Sequence, residues 1–237
     1  MGKSKKQHNH RTTQVTGAVS LITIADKTSP IAEQYRTIRT NIQFASADRK
    51  IQTIVVTSSG PSEGKSITAA NIAVVFANAG QRVLLVDADM RKPTVHKTFA
   101  LSNEAGLSKV LSSNNSVLEM AQPSMVDNLS ILTSGPKPPN PSELLGSTRM
   151  NQVIDEARHL YDVIIFDMPP VVTVTDAQIM ASKADGTLLV VRENVTRKDA
   201  LTKAKDLLEM VQARVLGVVY NGTKDVKDRS YYYYSND

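Results

Sequence analysis

A loop suited to holding phosphate and a run of phenols are the parts of this sequence most able to do chemistry. Ser59-Gly-Pro-Ser-Glu-Gly-Lys-Ser66 follows an apolar run, and Tyr231, Tyr232, Tyr233 and Tyr234 stand side by side near the end of the chain. Adjacent side chains point in different directions, so four neighbouring phenols do not serve a core. With a nucleotide site in the same chain, they suggest phosphoryl transfer to tyrosine; the plainer alternative is a sticky disordered end.

The octapeptide has P-loop spacing, with Ser59 where a first glycine usually stands. Gly60, Pro61, Ser62 and Glu63 complete the loop, and Gly64 permits backbone approach to a phosphate. The amides opening a helix from Lys65 through Ile67 make an anion site. Lys65 can reach the β- and γ-phosphates, and Ser66 offers a hydroxyl to Mg²⁺. A second apolar run leads into Asp87-Ala-Asp89-Met-Arg91, and a later one ends in Asp167-Met-Pro-Pro170. In a parallel sheet the carboxyl ends of strands face the ligand crevice, so Asp87, Asp89 and Asp167 should converge on the P-loop. A single carboxylate could be a turn cap, but three in order point to a hard cation, and Mg-ATP is the expected occupant.

Phosphoryl transfer needs positioning and charge compensation, which Lys65 and the loop amides would supply. A phenol, with an ordinary pKa of about 10, gains from a carboxylate that accepts its proton. That role falls to Asp87, with Asp89 supporting it or contacting a metal-bound water. Ser66, Asp87 and Asp167 are the expected magnesium holders. Arg91 either orients Asp89, touches the incoming tail, or is an exposed basic residue after a strand.

The elements that must position these groups follow from the apolar pattern. Continuous runs at 53–57, 83–87, 129–132, 163–167, 186–191 and 215–220 read as strands covered on both faces. Helical patterns lie at about 65–79, 142–159, 176–184 and 197–213, and Ile31, Tyr35, Ile38 and Ile42 line one face of a helix that follows Ser29-Pro30. The fold class is therefore α/β, a doubly wound, mostly parallel sheet of the P-loop NTPase type. The expected divisions are a flexible basic segment over 1–28, a P-loop domain over 29–221 and a tyrosine-rich tail over 222–237. Cysteine is absent, which excludes thiol nucleophiles and disulfides. Apolar stretches fall short of the ~20 residues of a membrane span, so a cytoplasmic location is expected. The net charge of +5 is largely that of Lys3, Lys5, Lys6 and Arg11; this segment could rest on an anionic membrane or be a solvated leader.

Over residues 29–237 the chain resembles the bacterial tyrosine kinases, the P-loop type that governs polysaccharide export. In that family Asp87, Asp89 and Arg91 match the Walker A′ motif, and Asp167, Pro169 and Pro170 the Walker B motif. Glu33, Arg36 and Arg39 match a helix that packs subunits into a ring, although the same residues could form a plain solvated helix face. The four tyrosines match the autophosphorylation cluster. MinD- and ParA-like ATPases share this branch of the fold but carry a signature lysine where Gly60 stands here. A nucleotide-gated scaffold phosphorylated by another enzyme is the alternative of a different class. The resemblance implies ATP and Mg²⁺ as cofactors, a homo-oligomer phosphorylating its tails in trans, and other protein substrates bearing tyrosine. It further implies a membrane adaptor with a cytoplasmic tail and control of exopolysaccharide or capsule synthesis or export at the inner face of the membrane, with no nucleic-acid partner. In relatives an asparagine at the equivalent of Asn221 contacts adenine; Tyr220-Asn221-Gly222 is equally a turn sequence.

Overall fold

The computed structural model describes residues 21–46, 49–113 and 115–223. The basic segment before residue 21 and Tyr231–Tyr234 lie outside the described residues. The chain opens with α1 (Ile22–Ala25) and α2 (Pro30–Ala45), then β1 (Thr53–Ser58), α3 (Lys65–Ala77) and β2 (Val83–Asp87). Three short helices follow, α4 (Val95–Thr98), α5 (Leu107–Ser112) and α6 (Val117–Met120), and then β3 (Gln122–Pro123) and β4 (Leu129–Leu132). The last part runs α7 (Pro141–Gly146), α8 (Thr148–Leu160), β5 (Val163–Asp167), α9 (Asp176–Ala181), β6 (Gly186–Arg192), α10 (Lys198–Met210) and β7 (Val215–Asn221).

Seven strands form one sheet in the order β3-β4-β2-β5-β1-β6-β7. Every neighbouring pair is parallel except β3 and β4. The strands read as unbroken apolar runs because successive side chains enter two different cores. Val55, Leu84, Val86, Ile164 and Phe166 pack with Met150, Val153, Met180, Ala204 and Leu208 from α8, α9 and α10. Ile54, Val56, Val83, Leu85, Val163 and Ile165 face the other way, onto Ala69, Ile72, Ala73 and Phe76 of α3. This is the doubly wound α/β architecture expected.

Helix α3 is buried from Thr68 to Ala77, because α1 and α2 cover the side that the sheet does not. Its apolar character all round has that cause. Ser29 caps α2 by accepting from the Ala32 amide, and Pro30 occupies the first turn.

Two local readings are corrected, and one stretch carried no reading. Residues 21–28 are not part of a flexible leader: Leu21 is buried, and Thr23 donates through its hydroxyl to Asn71 Oδ1 at 2.7 Å. The pattern at 142–159 is two helices, since Ser147 ends α7 and its hydroxyl then accepts from the Met150 amide to start α8. Between Asp87 and Leu129 the chain makes three helices of six residues or fewer and the two-residue edge strand β3, too short for a periodic signal.

β2, β5 and β1 are adjacent in the sheet. Their carboxyl ends therefore lie side by side, where the P-loop begins.

Candidate active site

The P-loop is braced from within. Glu63, almost fully buried, accepts from the Ser59 amide at 2.9 Å and the Ser59 hydroxyl at 2.7 Å. The Ser58 hydroxyl donates to the Gly60 carbonyl at 2.7 Å. Ser59 has no left-handed φ, so its position does not need glycine, and its hydroxyl gives the loop an extra tie. Gly64 does need to be glycine: its φ is +94°, and a Cβ there would lie 2.1 Å from Asn221 Nδ2. α3 then starts at Lys65, leaving the amides of its first turn without intrahelical partners.

The predicted carboxylates come together. Asp87 and Asp167 end β2 and β5 as register partners, and both are fully buried. Lys65 Nζ donates to Asp89 Oδ2 at 3.0 Å and stands 3.6 Å from Asp167 Oδ1, an ion pair longer than a hydrogen bond. Burial works against the charged lysine, but Asp167, Asp89 and Asp87 outweigh it and raise its pKa. Burial, then the nearby Asp167, pushes Asp87 up to about 8, against the pull of the Val95 amide. Burial likewise raises Asp167. The Asp87 Oδ2 atom accepts from the Thr94 and Val95 amides, both at 3.0 Å, and Asp89 Oδ1 accepts from the Lys92 amide at 3.0 Å.

These residues suit a magnesium ion that arrives with a nucleotide. Asp87 Oδ1 and both oxygens of Asp167 are buried with no hydrogen-bond partner, and the Lys65 ammonium 3.6 Å from Asp167 is the one cation among the described residues that faces them, so three carboxylates share a single positive charge. Among the described residues no three acidic or imidazole groups are grouped so as to chelate a metal alone. A magnesium ion there would take its remaining ligands from phosphate oxygens and water, as is usual for Mg²⁺.

Arg91 is corrected. It makes no hydrogen bond to Asp89 and does not stand free: Nε and Nη2 grip Asp176 at 2.8 and 2.9 Å, and Nη2 also donates to the Ser142 hydroxyl at 3.0 Å. Asn221 is not merely a turn residue. As the last residue of β7 it donates through Nδ2 to the Glu63 carbonyl at 3.1 Å, beside a 170 Å³ cavity lined by Tyr35, Ile38 and Val219 among others. Arg192, which the sequence did not single out, donates to the Ser62 carbonyl at 2.9 Å. On α2, Glu33 pairs with Arg36 at 2.6 Å, whereas Arg39 turns inward and donates to the Val75 carbonyl of α3 at 3.0 Å.

A strand, a P-loop, a lysine, two strand-end carboxylates and a third just past β2, on a doubly wound sheet, define a P-loop nucleotide-binding protein. A family model described as an AAA domain matches residues 50–215. The chain is 49% identical over 215 residues to the tyrosine-protein kinase YwqD of Bacillus subtilis, with 91% of each chain covered. The crystal structure of the chimerical protein CapA2B2 superposes with a TM-score of 0.81 at 44% identity, covering 84% of this chain and 88% of that one. The kinase domain of the Escherichia coli tyrosine kinase ETK gives a TM-score of 0.84 at 30% identity, covering 92% and 84%. The chain belongs to the P-loop bacterial tyrosine kinases.

Proposed function

We propose that the protein transfers the γ-phosphoryl group of ATP to protein tyrosine, first of all to its own Tyr231, Tyr232, Tyr233 and Tyr234. The observation that carries this reading is the meeting of Lys65 with Asp87, Asp89 and Asp167 at the mouth of the P-loop. In this reading the loop from Ser59 to Ile67 holds the phosphates, and Asn221 meets the base beside the cavity it lines. Lys65 exchanges its carboxylate neighbours for the β- and γ-phosphate oxygens. Ser66, Asp87 and Asp167 would hold Mg²⁺, which when bound neutralises charge on the phosphates.

The tyrosine oxygen forms its bond to the γ-phosphorus as the bond from that phosphorus to the β,γ-bridging oxygen breaks, leaving ADP. The phenolic proton passes to Asp87, which releases it to solvent. Asp87 Oδ1, buried beside the P-loop with no donor of its own, is the free acceptor atom for that proton. Asp89 keeps Lys65 in place between turnovers.

A tail leaving at Gly222 has roughly 30 Å of reach before Tyr231, enough to enter a neighbouring subunit. The reading therefore includes phosphorylation in trans within a ring built through the helix of Glu33, Arg36 and Arg39. Each phosphate adds about −1.5 to −2 of charge, which pushes the tail from the acidic site and loosens the ring. A membrane adaptor, other tyrosine-bearing substrates and control of exopolysaccharide or capsule output belong to the same reading. No helix among the described residues is long and apolar enough to cross a membrane, consistent with a kinase working at the inner membrane face through its adaptor.

Mass spectrometry of the purified chain after incubation with Mg-ATP tests the core of this. Phosphate should appear within 231–234 in the parent and vanish in Lys65→Met. Modification that survives the substitution, or a parent that leaves its own tyrosines untouched, would refute the reading, the latter favouring a scaffold phosphorylated by another enzyme.

A further inference from the structure

Three loops leave the carboxyl ends of the neighbouring strands β4, β2 and β5, and all three meet at one guanidinium. Arg91 lies in the loop after β2. Ser142 is in the first turn of α7, which closes the loop after β4. Asp176 opens α9 and closes the loop after β5. The three groups all touch one another: Arg91 grips both oxygens of Asp176 at 2.8 and 2.9 Å and reaches the Ser142 hydroxyl at 3.0 Å, and that hydroxyl donates to Asp176 Oδ1 at 2.6 Å. Asp176 is fully buried. Burial alone would raise its pKa, but Arg91 and Ser142 hold it below the usual carboxylate range.

We infer that Asp176 and Ser142 are positioning residues that act through Arg91 to fix the separation of the catalytic carboxylates. Arg91 sits inside the turn closed by the Lys92 amide on Asp89 Oδ1, and that turn is followed at once by the amides of Thr94 and Val95 that hold Asp87. Fixing the guanidinium therefore fixes the segment carrying Asp87 and Asp89. Its partner Asp176 ends the loop that starts from Asp167. One bidentate pair, buried at its Asp176 end, thus ties the segment after β2 to the loop after β5 while making no hydrogen bond to Lys65 or to any of the three site carboxylates. A bidentate pair transmits orientation as well as distance, which lysine in place of Arg91 could not do.

The inference rests on the kinase reading, and the test separates the two. In the full chain, Asp176→Asn, Ser142→Ala and Arg91→Lys are compared with the parent for affinity toward a fluorescent ATP analogue, for kcat and KM of tyrosine phosphorylation and of ATP hydrolysis, and for melting temperature. Asp176→Asn should lower kcat about 10- to 100-fold, the usual effect of a small misplacement of reacting groups, with nucleotide affinity little changed. Arg91→Ala combined with Asp176→Ala should be no worse than either alone, because both break the same contact. Unchanged kcat in a variant that melts like the parent, additive losses in the double variant, or nucleotide affinity falling in step with melting temperature would each overturn the inference. If Asp176→Asn does not fold, Ser142→Ala, which removes one hydroxyl, decides by the same split between kcat and affinity. Tyrosine phosphorylation by the parent reports on the kinase reading itself. ATP hydrolysis keeps the comparison decisive if the parent hydrolyses ATP without modifying tyrosine.

Discussion

Replacing Asp167 with asparagine should make the nucleotide-free protein more stable while destroying its activity. Asp167 is fully buried and neither of its oxygens has a donor. Removing one partner of a buried ion pair normally costs about 3–5 kcal/mol, because the other charge is left uncompensated. That penalty does not arise here, since Lys65 keeps Asp89 at 3.0 Å. Three carboxylates face one ammonium in the parent; in the variant two do, and Asp87 loses the neighbour that helps push its pKa up. Relieving a buried unsatisfied acceptor is worth about 1–3 kcal/mol, and the new amide, whose own donors need partners, takes back part of that. A net gain of about 1–2 kcal/mol corresponds to a rise of roughly 3–6 °C in melting temperature for a domain of this size. Calorimetry without nucleotide at neutral pH reads this directly, and the further rise on adding Mg-ATP should be smaller in the variant than in the parent. A nucleotide-free variant that melts below the parent would show that the carboxylate is well satisfied without a ligand, and the case for a cation site at Asp167 would fall with it.

Gly64→Ala places a Cβ 2.1 Å from Asn221 Nδ2 at a φ of +94°. It should cost about 1–3 kcal/mol and abolish binding of a fluorescent ATP analogue, with Asn221→Ala relieving the collision but not the strain. Arg39→Ala removes the bond from α2 to the Val75 carbonyl and should cost about 1–3 kcal/mol in urea unfolding. The exposed Glu33–Arg36 pair should matter by less than about 1 kcal/mol. The double variant Glu33→Ala, Arg36→Ala is therefore the cleaner probe of a ring, and light scattering should find monomers whose melting temperature falls by no more than the loss of the Arg36 bond to the Lys27 carbonyl allows. At the amino-terminal end of the sheet, burial alone would raise Asp185, but Arg158 and the amides of Gln52 and Thr53 bring it down to about 2. Because that lies below an aspartate's ordinary value of about 3.9, its contribution is complete above about pH 5 and is lost as pH falls toward 2. Asp185→Asn should remove about 1–2 kcal/mol at neutral pH, allowing for solvent screening, and flatten the acid limb of the stability curve.

The parts of this protein legible in its sequence are those whose geometry follows from local rules. A P-loop is contiguous, so Ser59–Ser66 declares itself. Asp87, Asp89 and Asp167 are far apart in the chain, but each ends an apolar run, and the topology of parallel sheets sends all such ends to one crevice. Arg91 shows where that logic stops. Its position after the strand was visible, but its partner Asp176 is 85 residues away and looks like an ordinary acid in the first turn of a helix. Asn221 and Arg192 reach the P-loop carbonyls only because β6 and β7 lie on the far side of β1 in the sheet order. Likewise, Leu21 and Thr23 follow a polar stretch in the sequence, and only the side of α3 that the sheet leaves uncovered gives them somewhere to pack.

Selection for chemistry and selection for stability leave different marks on these residues. The Asp185 cluster is fully satisfied, with the Gln52 and Thr53 amides, the Thr53 hydroxyl and Arg158 all donating to one carboxylate. The Asp167 carboxylate, at the opposite end of the sheet, is buried still more completely and accepts no hydrogen bond, with only the Lys65 ammonium 3.6 Å away. Both are buried acids beside β1 in the same fold, so burial by itself does not say which of them is completed by the protein. Unmet hydrogen-bonding capacity does, because a group held ready for a cation and a phosphate cannot also be completed by the protein.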